Sequence, residues 1–154
     1  MDLAPRARMT IYRTSLCVAY AVTAVVALVG TWANNLQYLD LGMVGMNVRF
    51  WQDTLANPAS RSITVDILTL GMAACTWILL EGRRLSMRGA WLYVLFGVFV
   101  AMGAALPMFL LHRERVLATG GEPIRAGTLS AGELVGLALL GLVVLAYTFL
   151  ALSR

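Results

Sequence analysis

The chain has 154 residues, of which 60% are hydrophobic and 13% are charged, and its formal net charge is +4 at neutral pH. Soluble domains are about 45–50% apolar and about 25% charged, so this composition excludes an ordinary soluble domain and predicts an integral membrane protein. The chain has twelve arginines and no lysine; most of the arginines stand at the ends of apolar segments and none lies in a basic stripe, which excludes a nucleic-acid-binding protein.

Four apolar segments have about the 20 residues that a helix needs to cross the hydrocarbon core of a membrane. Their length and the absence of alternating polarity predict helices and not strands. The sequence therefore predicts an all-α integral membrane protein, a four-helix bundle with a long, partly helical interfacial loop between helices 1 and 2. The predicted single domain, residues 1–154, has spans at 14–32, 62–80, 90–111 and 134–152, with loops at 33–61 and 112–130.

The loop at 33–61 is long and rich in aromatic and aliphatic residues. Phe50, Trp51 and Leu55 beside Arg49 and Asp53 predict a short amphipathic helix lying at the membrane surface. The alternative is that these aromatics are ordinary anchors at headgroup depth.

Two helix starts carry capping signals. Asn57 before Pro58 is a good N-cap followed by proline at the first helical position, so the second helix is predicted to begin as early as Pro58. Ser130 and Glu133 fit a capping box at the start of the fourth helix.

The third span contains a proline and several small residues. Pro107 is predicted to kink or end the helix. Gly97, Ala101 and Ala105 predict a close contact between helices.

Asp66 is a carboxylate inside the second predicted span. A charge in the membrane costs about 2.5–3.5 kcal/mol, so such residues are usually functional or internally paired. If Glu81 marks the cytoplasmic boundary, the fifteen residues between it and Asp66 correspond to about 22 Å, and Asp66 is predicted to lie in the outer half of the membrane. Its candidate partners are Arg49, His112 and Arg113. Either Asp66 ties the loop to the bundle, or the polar cluster around it holds the head of an amphiphilic ligand or acts as a general acid or base.

The predicted site is one polar cluster at the outer mouth of the bundle. Its candidate ligand-binding residues are Asn34, Asn35, Gln37, Tyr38, Trp51, Asp53, Asn57, Asp66 and His112. Asp66 is also the candidate catalytic residue. No metal site and no cofactor are predicted, because the chain has one histidine and its two cysteines stand alone in apolar runs.

Arginine counting predicts the orientation. The predicted N-terminal tail, the loop after the second span and the C-terminus share one side with seven arginines, against five on the other side. The positive-inside rule then places both termini in the cytoplasm. Arg83, Arg84 and Arg88 after Glu81 are predicted to mark that boundary, or alternatively to dock an anionic partner.

Two parts of the sequence resemble an uncharacterised bacterial membrane-protein family, "domain of unknown function 2834". They are NPAS at 57–60 with Asp66 and WILLEGRRL at 77–85, and then ALPMFLL at 105–111 with RER at 113–115. The resemblance covers about residues 10–117 and leaves the fourth helix as an addition. It implies a location in the bacterial cytoplasmic (inner) membrane as a multi-pass protein, and it implies no activity.

Three functions are compared. The first is a small polytopic protein that binds a lipophilic ligand or serves as an accessory subunit of a membrane complex, with membrane lipid, a lipophilic small molecule or another membrane subunit as partner. The alternative is a small membrane enzyme of the cyclase or isomerase type, acting on an isoprenoid or lipid with Asp66 as general acid or base. A transporter is the least favoured, because the sequence has no inverted repeat and no broken-helix pair.

Overall fold

The computed structural model describes the backbone of residues 4–119 and 131–152, with side chains from Tyr12 onward and for part of the last helix. Apart from the short turns at 55–57 and 85–89 these residues are helical, and they contain no strand, which confirms the all-α prediction for them. The elements are α1 (Ala4–Asn35), a 3-10 helix (Leu36–Leu41), α2 (Gly42–Thr54), α3 (Pro58–Arg84), α4 (Ala90–Phe96), a π-helical segment (Gly97–Ala101), α5 (Met102–Thr119) and α6 (Ala131–Leu152).

The outer surface of the molecule is apolar. Three helical stretches in the described ranges are long and apolar enough to cross a membrane: Tyr12–Thr54, Pro58–Arg84 and Ala90–Thr119. Large aliphatic side chains on α1 and α3, such as Val22, Val65 and Met72, are exposed. Exposed apolar surface on this scale is typical of a protein surrounded by lipid, because soluble proteins rarely expose continuous apolar patches of this size.

The start of α3 follows from its capping residues. The Asn57 side chain accepts a hydrogen bond from the backbone N–H of Ser60 at 2.9 Å. Pro58 occupies the first turn, where its missing N–H costs nothing. This confirms the predicted start of the second helix. The predicted short helix around Phe50 and Trp51 is also present as α2, and its position at the membrane surface stays a prediction.

The predicted third span is not a straight helix. Tyr93 and His112 are nineteen residues apart, yet Tyr93 Oη lies 3.0 Å from His112 Nδ1. In a straight helix these residues are separated by about 28 Å. The Tyr93 ring also packs against the Phe109 ring, with centroids 5.6 Å apart. The chain therefore folds back on itself, and α4, the π-helical segment and α5 form a helical hairpin with antiparallel arms.

Small residues let the two arms meet near the bend. A Cβ on Gly97 would lie 3.2 Å from Cβ of Ala105, so glycine permits this approach, as the sequence predicts. The bend retains helical hydrogen bonding in π geometry, which avoids bare backbone polar groups in an apolar environment. Pro107, in contrast, does not end a helix: α5 continues through it to Thr119.

The hairpin lies against one end of α3. A Cβ on Gly82 would collide with Ala90 at the start of α4, and one on Gly71 would lie 3.9 Å from Cγ of Met102 after the bend. Gly71 and Gly82 are separated by about 16 Å along α3. Both arms of the hairpin therefore have their open ends beside the end of α3 that carries Glu81, which we call the Glu81 end. The bend of the hairpin reaches only part of the way along α3.

The remaining helices can be placed relative to this hairpin. A Cβ on Gly103 would lie 3.3 Å from Ala27, so α1 packs along α5, and a Cβ on Gly30 would lie 3.1 Å from Thr148 of α6. The described residues therefore do not form four spans that run parallel or antiparallel to one another. They form two long helices, α1 and α3, a hairpin between them, and α6 beside α1. Among the described residues, nothing lies within 4 Å of an added Cβ on Gly136 of α6.

We expect Gly97→Leu to disrupt the hairpin, because a larger side chain must displace both Met102 and Ala105. Overpacking of this kind costs about 1–3 kcal/mol. Gly136→Leu is the matched control, since the same side chain there meets open space. Thermal unfolding of the purified protein in detergent measures the difference, and equal midpoints for the two variants would contradict the close approach at Gly97.

Candidate functional site

The predicted outer polar cluster does not assemble around Asp66. Asp66 is exposed and makes no hydrogen bond or ion pair with the residues that the structure describes. Its three predicted partners bind elsewhere: Arg49 pairs with Asp53, His112 with Tyr93, and Arg113 with Glu81 and Glu114. The prediction that Asp66 is internally paired is therefore wrong. The physical reason is that Asp66 points away from the packed face of α3.

Part of the predicted cluster does come together without Asp66. Tyr38 Oη donates a hydrogen bond of 2.9 Å to Oδ2 of Asp53, which also pairs with Arg49. These contacts join the 3-10 helix to α2. Asn34 and Asn57 bond to nearby backbone instead, and Trp51 is exposed with its ring edge against Phe50. Asn35 and Gln37 flank the start of the 3-10 helix, where the Asn35 side chain makes no capping bond. Whether any of these residues binds a ligand stays a prediction.

His112 lies at the opposite end of the molecule from Asp66. Its neighbour Arg113 contacts Glu81, and Glu81 is about 22 Å from Asp66 along α3. The sequence places His112 on the outer side only if the third span crosses the membrane. Because the hairpin returns the chain to the Glu81 end, His112 and Arg113 return with it.

Glu81 is the centre of an ion-pair network that joins α3 to α5. It is only 8% exposed. Its Oε1 accepts from Arg113 Nε at 2.7 Å, and Arg84 donates to both of its oxygens, Nε at 2.6 Å and Nη2 at 2.7 Å. Arg113 also donates to Glu114. The Arg113 contact is a charge-assisted hydrogen bond from α5 to α3, and such bonds are strong and directional, so Glu81 fixes the hairpin against α3 rather than only marking a boundary.

An aromatic layer lies directly beside this network. Phe109 is fully buried, and Trp77 and Tyr93 meet its ring edge-on with centroids 5.4 and 5.6 Å away. Ile78, also fully buried, belongs to the same core. These contacts hold the Tyr93 phenol in position, where it reaches His112. The buried core of the described residues is thus concentrated at the Glu81 end.

A cavity of about 580 Å³ lies between α1 and the hairpin. Its walls are mainly aliphatic, and its polar groups are at one end. The lining residues are Ala21, Ala24, Val25, Leu28, Tyr93, Met108, Leu111, His112 and Arg115. Val25 is 61% exposed, so the cavity opens on the apolar outer surface of α1. We call it the α1–hairpin cavity.

The polar end of this cavity contains one cation without a partner. Arg115 is exposed and makes no ion pair with any side chain in the described ranges, in contrast to Arg84 and Arg113. Tyr93 and His112 bond to each other beside it. In this part of the chain, no three histidine, cysteine, aspartate or glutamate residues lie together as a metal site would require.

Of the residues lining the cavity, sequence reasoning singled out His112 alone, and for a different site. Ala21, Ala24 and Leu28 occupy one face of α1, which is a detectable helical spacing but an unspecific one. Tyr93 carries no signal at all, because its role depends on the fold-back that brings it to His112.

The comparisons with known proteins give one match. A family described as "Protein of unknown function DUF2834" matches residues 19–115, which include α3, the whole hairpin except its last residues and most of α1. No curated protein and no solved structure matches this chain.

Proposed function

The chain belongs to the DUF2834 family of proteins of unknown function, and from that starting point we propose that it is a membrane protein that binds a lipophilic ligand in the α1–hairpin cavity. The observation that carries the proposal is the cavity itself. All of its lining residues, from Ala21 to Arg115, lie inside the region that the family matches.

The size and chemistry of the cavity support this proposal. Ligand pockets usually measure about 300–1,000 Å³ and combine apolar walls with a few polar groups. Here alanine, valine and leucine form the walls and Tyr93, His112 and Arg115 form the polar end. The lining residues Met108 and Arg115 are separated by about 10 Å along α5, so an apolar chain fits lengthwise beside the helix.

The hairpin also changes the proposed orientation in the membrane. With α5 ending at the Glu81 end, that side carries eight of the ten arginines in the described ranges, namely Arg6, Arg8 and Arg13 near the start of α1, Arg83, Arg84 and Arg88 around the end of α3, and Arg113 and Arg115 in α5. The straight-span topology divides the same ten arginines six to four. The positive-inside rule therefore favours a cytoplasmic Glu81 end more strongly in the hairpin topology. As in the sequence prediction, we propose the bacterial inner membrane as the location.

The same reasoning revises the proposed side of the end of α6. Thr148 near the end of α6 lies beside Gly30 near the end of α1. Because Ala21 lines the same cavity as Arg115 and Ala27 lies against Gly103 nearer the bend, α1 begins at the Glu81 end, and α1 and α6 are proposed to end together on the other side. The start of α1 is then cytoplasmic and the end of α6 is not, whereas four straight spans place both in the cytoplasm.

The enzyme alternative uses Asp66 as its general acid or base, and Asp66 does not lie beside the cavity. A general acid or base must lie within hydrogen-bond reach of its substrate. Asp66 is exposed and about 22 Å from Glu81 along α3, whereas the polar end of the cavity lies beside Glu81. Binding without Asp66 is therefore the proposal that the cavity supports best.

A photoreactive lipid tests ligand binding. A phospholipid with a diazirine in its acyl chain, incorporated in vesicles with the full-length protein, is expected to label Met108 and Leu111 in the cavity wall. Ala21→Trp should abolish this labelling, because Ala21 is exposed and lines the cavity, so that the indole fills it without disturbing the core.

Val22→Trp is the matched control. Val22 is the next residue of α1, is exposed and does not line the cavity, so labelling of Met108 and Leu111 should persist. Equal labelling of the Ala21 and Val22 variants would show that the probe reaches these residues from bulk lipid, and the proposed binding site would be wrong.

A further inference from the structure

We propose that the ligand of the α1–hairpin cavity is an amphiphile with a compact anionic headgroup, and that Arg115 binds this headgroup. The inference rests on the proposed function, because it names the class of ligand for the same cavity. It depends on a separate observation, which is that the Arg115 guanidinium at the polar end of an otherwise apolar cavity makes no ion pair with the residues that the structure describes.

The charges around Arg115 support an anion rather than a neutral group. Glu81 and Glu114, the described carboxylates that take part in the ion pairs at this end of α5, are already bound by Arg84 and Arg113. Arg115 is left without a carboxylate in the described part of the chain. A guanidinium presents a planar set of donors that matches phosphate and carboxylate oxygens, so an anionic headgroup is the complementary partner.

Tyr93 and His112 add a second point of recognition. Their side chains share a hydrogen bond of 3.0 Å at the same end of the cavity as Arg115. When the phenol donates to Nδ1, the imidazole proton resides on Nε2 and is a further donor for a ligand oxygen. One imidazole donor beside the guanidinium of Arg115 favours a compact headgroup over a bulky zwitterionic one.

The position of Arg115 also fits an amphiphile rather than a soluble anion. The cavity extends from Arg115 along α5 toward Met108 and along α1 toward Leu28, away from the charged Glu81 end. A soluble phosphate compound would leave this apolar volume unfilled. An acyl or isoprenoid chain occupies it and keeps the headgroup at the level of Arg115.

Paired lipid probes test the headgroup. Phosphatidic acid and diacylglycerol with the same diazirine-bearing acyl chain differ only in the phosphate. In vesicles with the full-length protein, Arg115→Gln should lower labelling of Met108 and Leu111 by the phosphatidic acid probe about tenfold, as expected for loss of one charge-assisted contact. Labelling by the diacylglycerol probe should not change. Arg115→Lys should restore part of the difference, because it keeps the charge without the planar fork.

Arg83→Gln is the matched control. Arg83 is also an exposed arginine at the Glu81 end, but it does not line the cavity. If Arg83→Gln lowers phosphatidic acid labelling as much as Arg115→Gln, general attraction to anionic lipid explains the effect and the inference is overturned. Equal loss with both probes in Arg115→Gln would overturn it too, because that pattern indicates local distortion.

Two further outcomes separate this inference from the proposed function. If Ala21→Trp abolishes labelling by both probes while Arg115→Gln changes neither, the cavity binds lipid but Arg115 does not select the headgroup. Inorganic phosphate added as a competitor should leave labelling unchanged. If it displaces the phosphatidic acid probe, the site belongs to a soluble phosphate compound and not to an amphiphile.

Discussion

Cysteines introduced at Arg88 and Thr119 will be labelled from the same face of the membrane, and a cysteine at Gln52 from the opposite face. Arg88 lies between α3 and α4, Thr119 ends α5, and Gln52 lies in α2 before α3. If residues 90–119 crossed the membrane once, Thr119 would share its face with Gln52. The hairpin returns Thr119 to the Glu81 end, so the two topologies predict opposite results at this one position.

The experiment uses intact cells and a membrane-impermeant maleimide. The starting variant lacks the two native cysteines, Cys17 and Cys75, which are both free thiols. With the proposed orientation, only the Gln52→Cys variant reacts in intact cells, and Arg88→Cys and Thr119→Cys react after the membrane is permeabilised. Reaction of Thr119→Cys together with Gln52→Cys in intact cells would contradict the hairpin.

We expect Arg113→Gln to destabilise the protein by about 3 kcal/mol, because it leaves the buried Glu81 carboxylate without its contact from α5. Arg84→Gln should cost less than about 1 kcal/mol. Both arginines bind the same carboxylate, but the Arg113 side chain is 24% exposed and the Arg84 side chain is 61% exposed. Water screens the exposed Arg84–Glu81 ion pair, and water replaces the Arg84 contact when that side chain is removed.

Unfolding in detergent, followed by circular dichroism, measures both variants. The double variant Arg113→Gln with Glu81→Gln should recover part of the loss, because the neutral amide no longer needs a buried counter-charge. Equal loss in Arg84→Gln and Arg113→Gln would show that the network does not hold α5 against α3, and that the contact across the helices contributes no more than the contact within α3.

The parts of the fold that depend on local sequence could be predicted. Asn57 and Pro58 set the start of α3 because a cap acts within four residues, and the aromatic segment around Trp51 forms a helix as its spacing indicates. The hairpin could not be predicted in this way. Residues 90–111 are apolar throughout, and an apolar segment of this length has the same hydropathy whether it crosses the membrane or folds back.

The prediction of the site failed for the same reason. Counting residues along a crossing helix places His112 beside Asp66, and the fold-back reverses that result. The contact between Arg84 and Glu81 follows from helical spacing, since the two residues are three apart. Arg113 is thirty-two residues from Glu81, and only the three-dimensional path of the chain brings it there. The small residues Gly97 and Ala105 indicate close packing between helices. They do not indicate that each packs against another part of the same segment.

The partial depth of the hairpin gives the molecule different widths in the two leaflets. At the Glu81 end, a plane through the protein cuts α1, α3, α4 and α5, whereas beyond the bend it cuts only α1 and α3 of these elements. Phe99, 77% exposed at the bend, then meets the chain ends of lipids from the opposite leaflet. A protein that is wider in one monolayer acts as a wedge. It is therefore expected to concentrate where the membrane surface at the Glu81 end is convex, and to exert lateral pressure in one leaflet more than in the other.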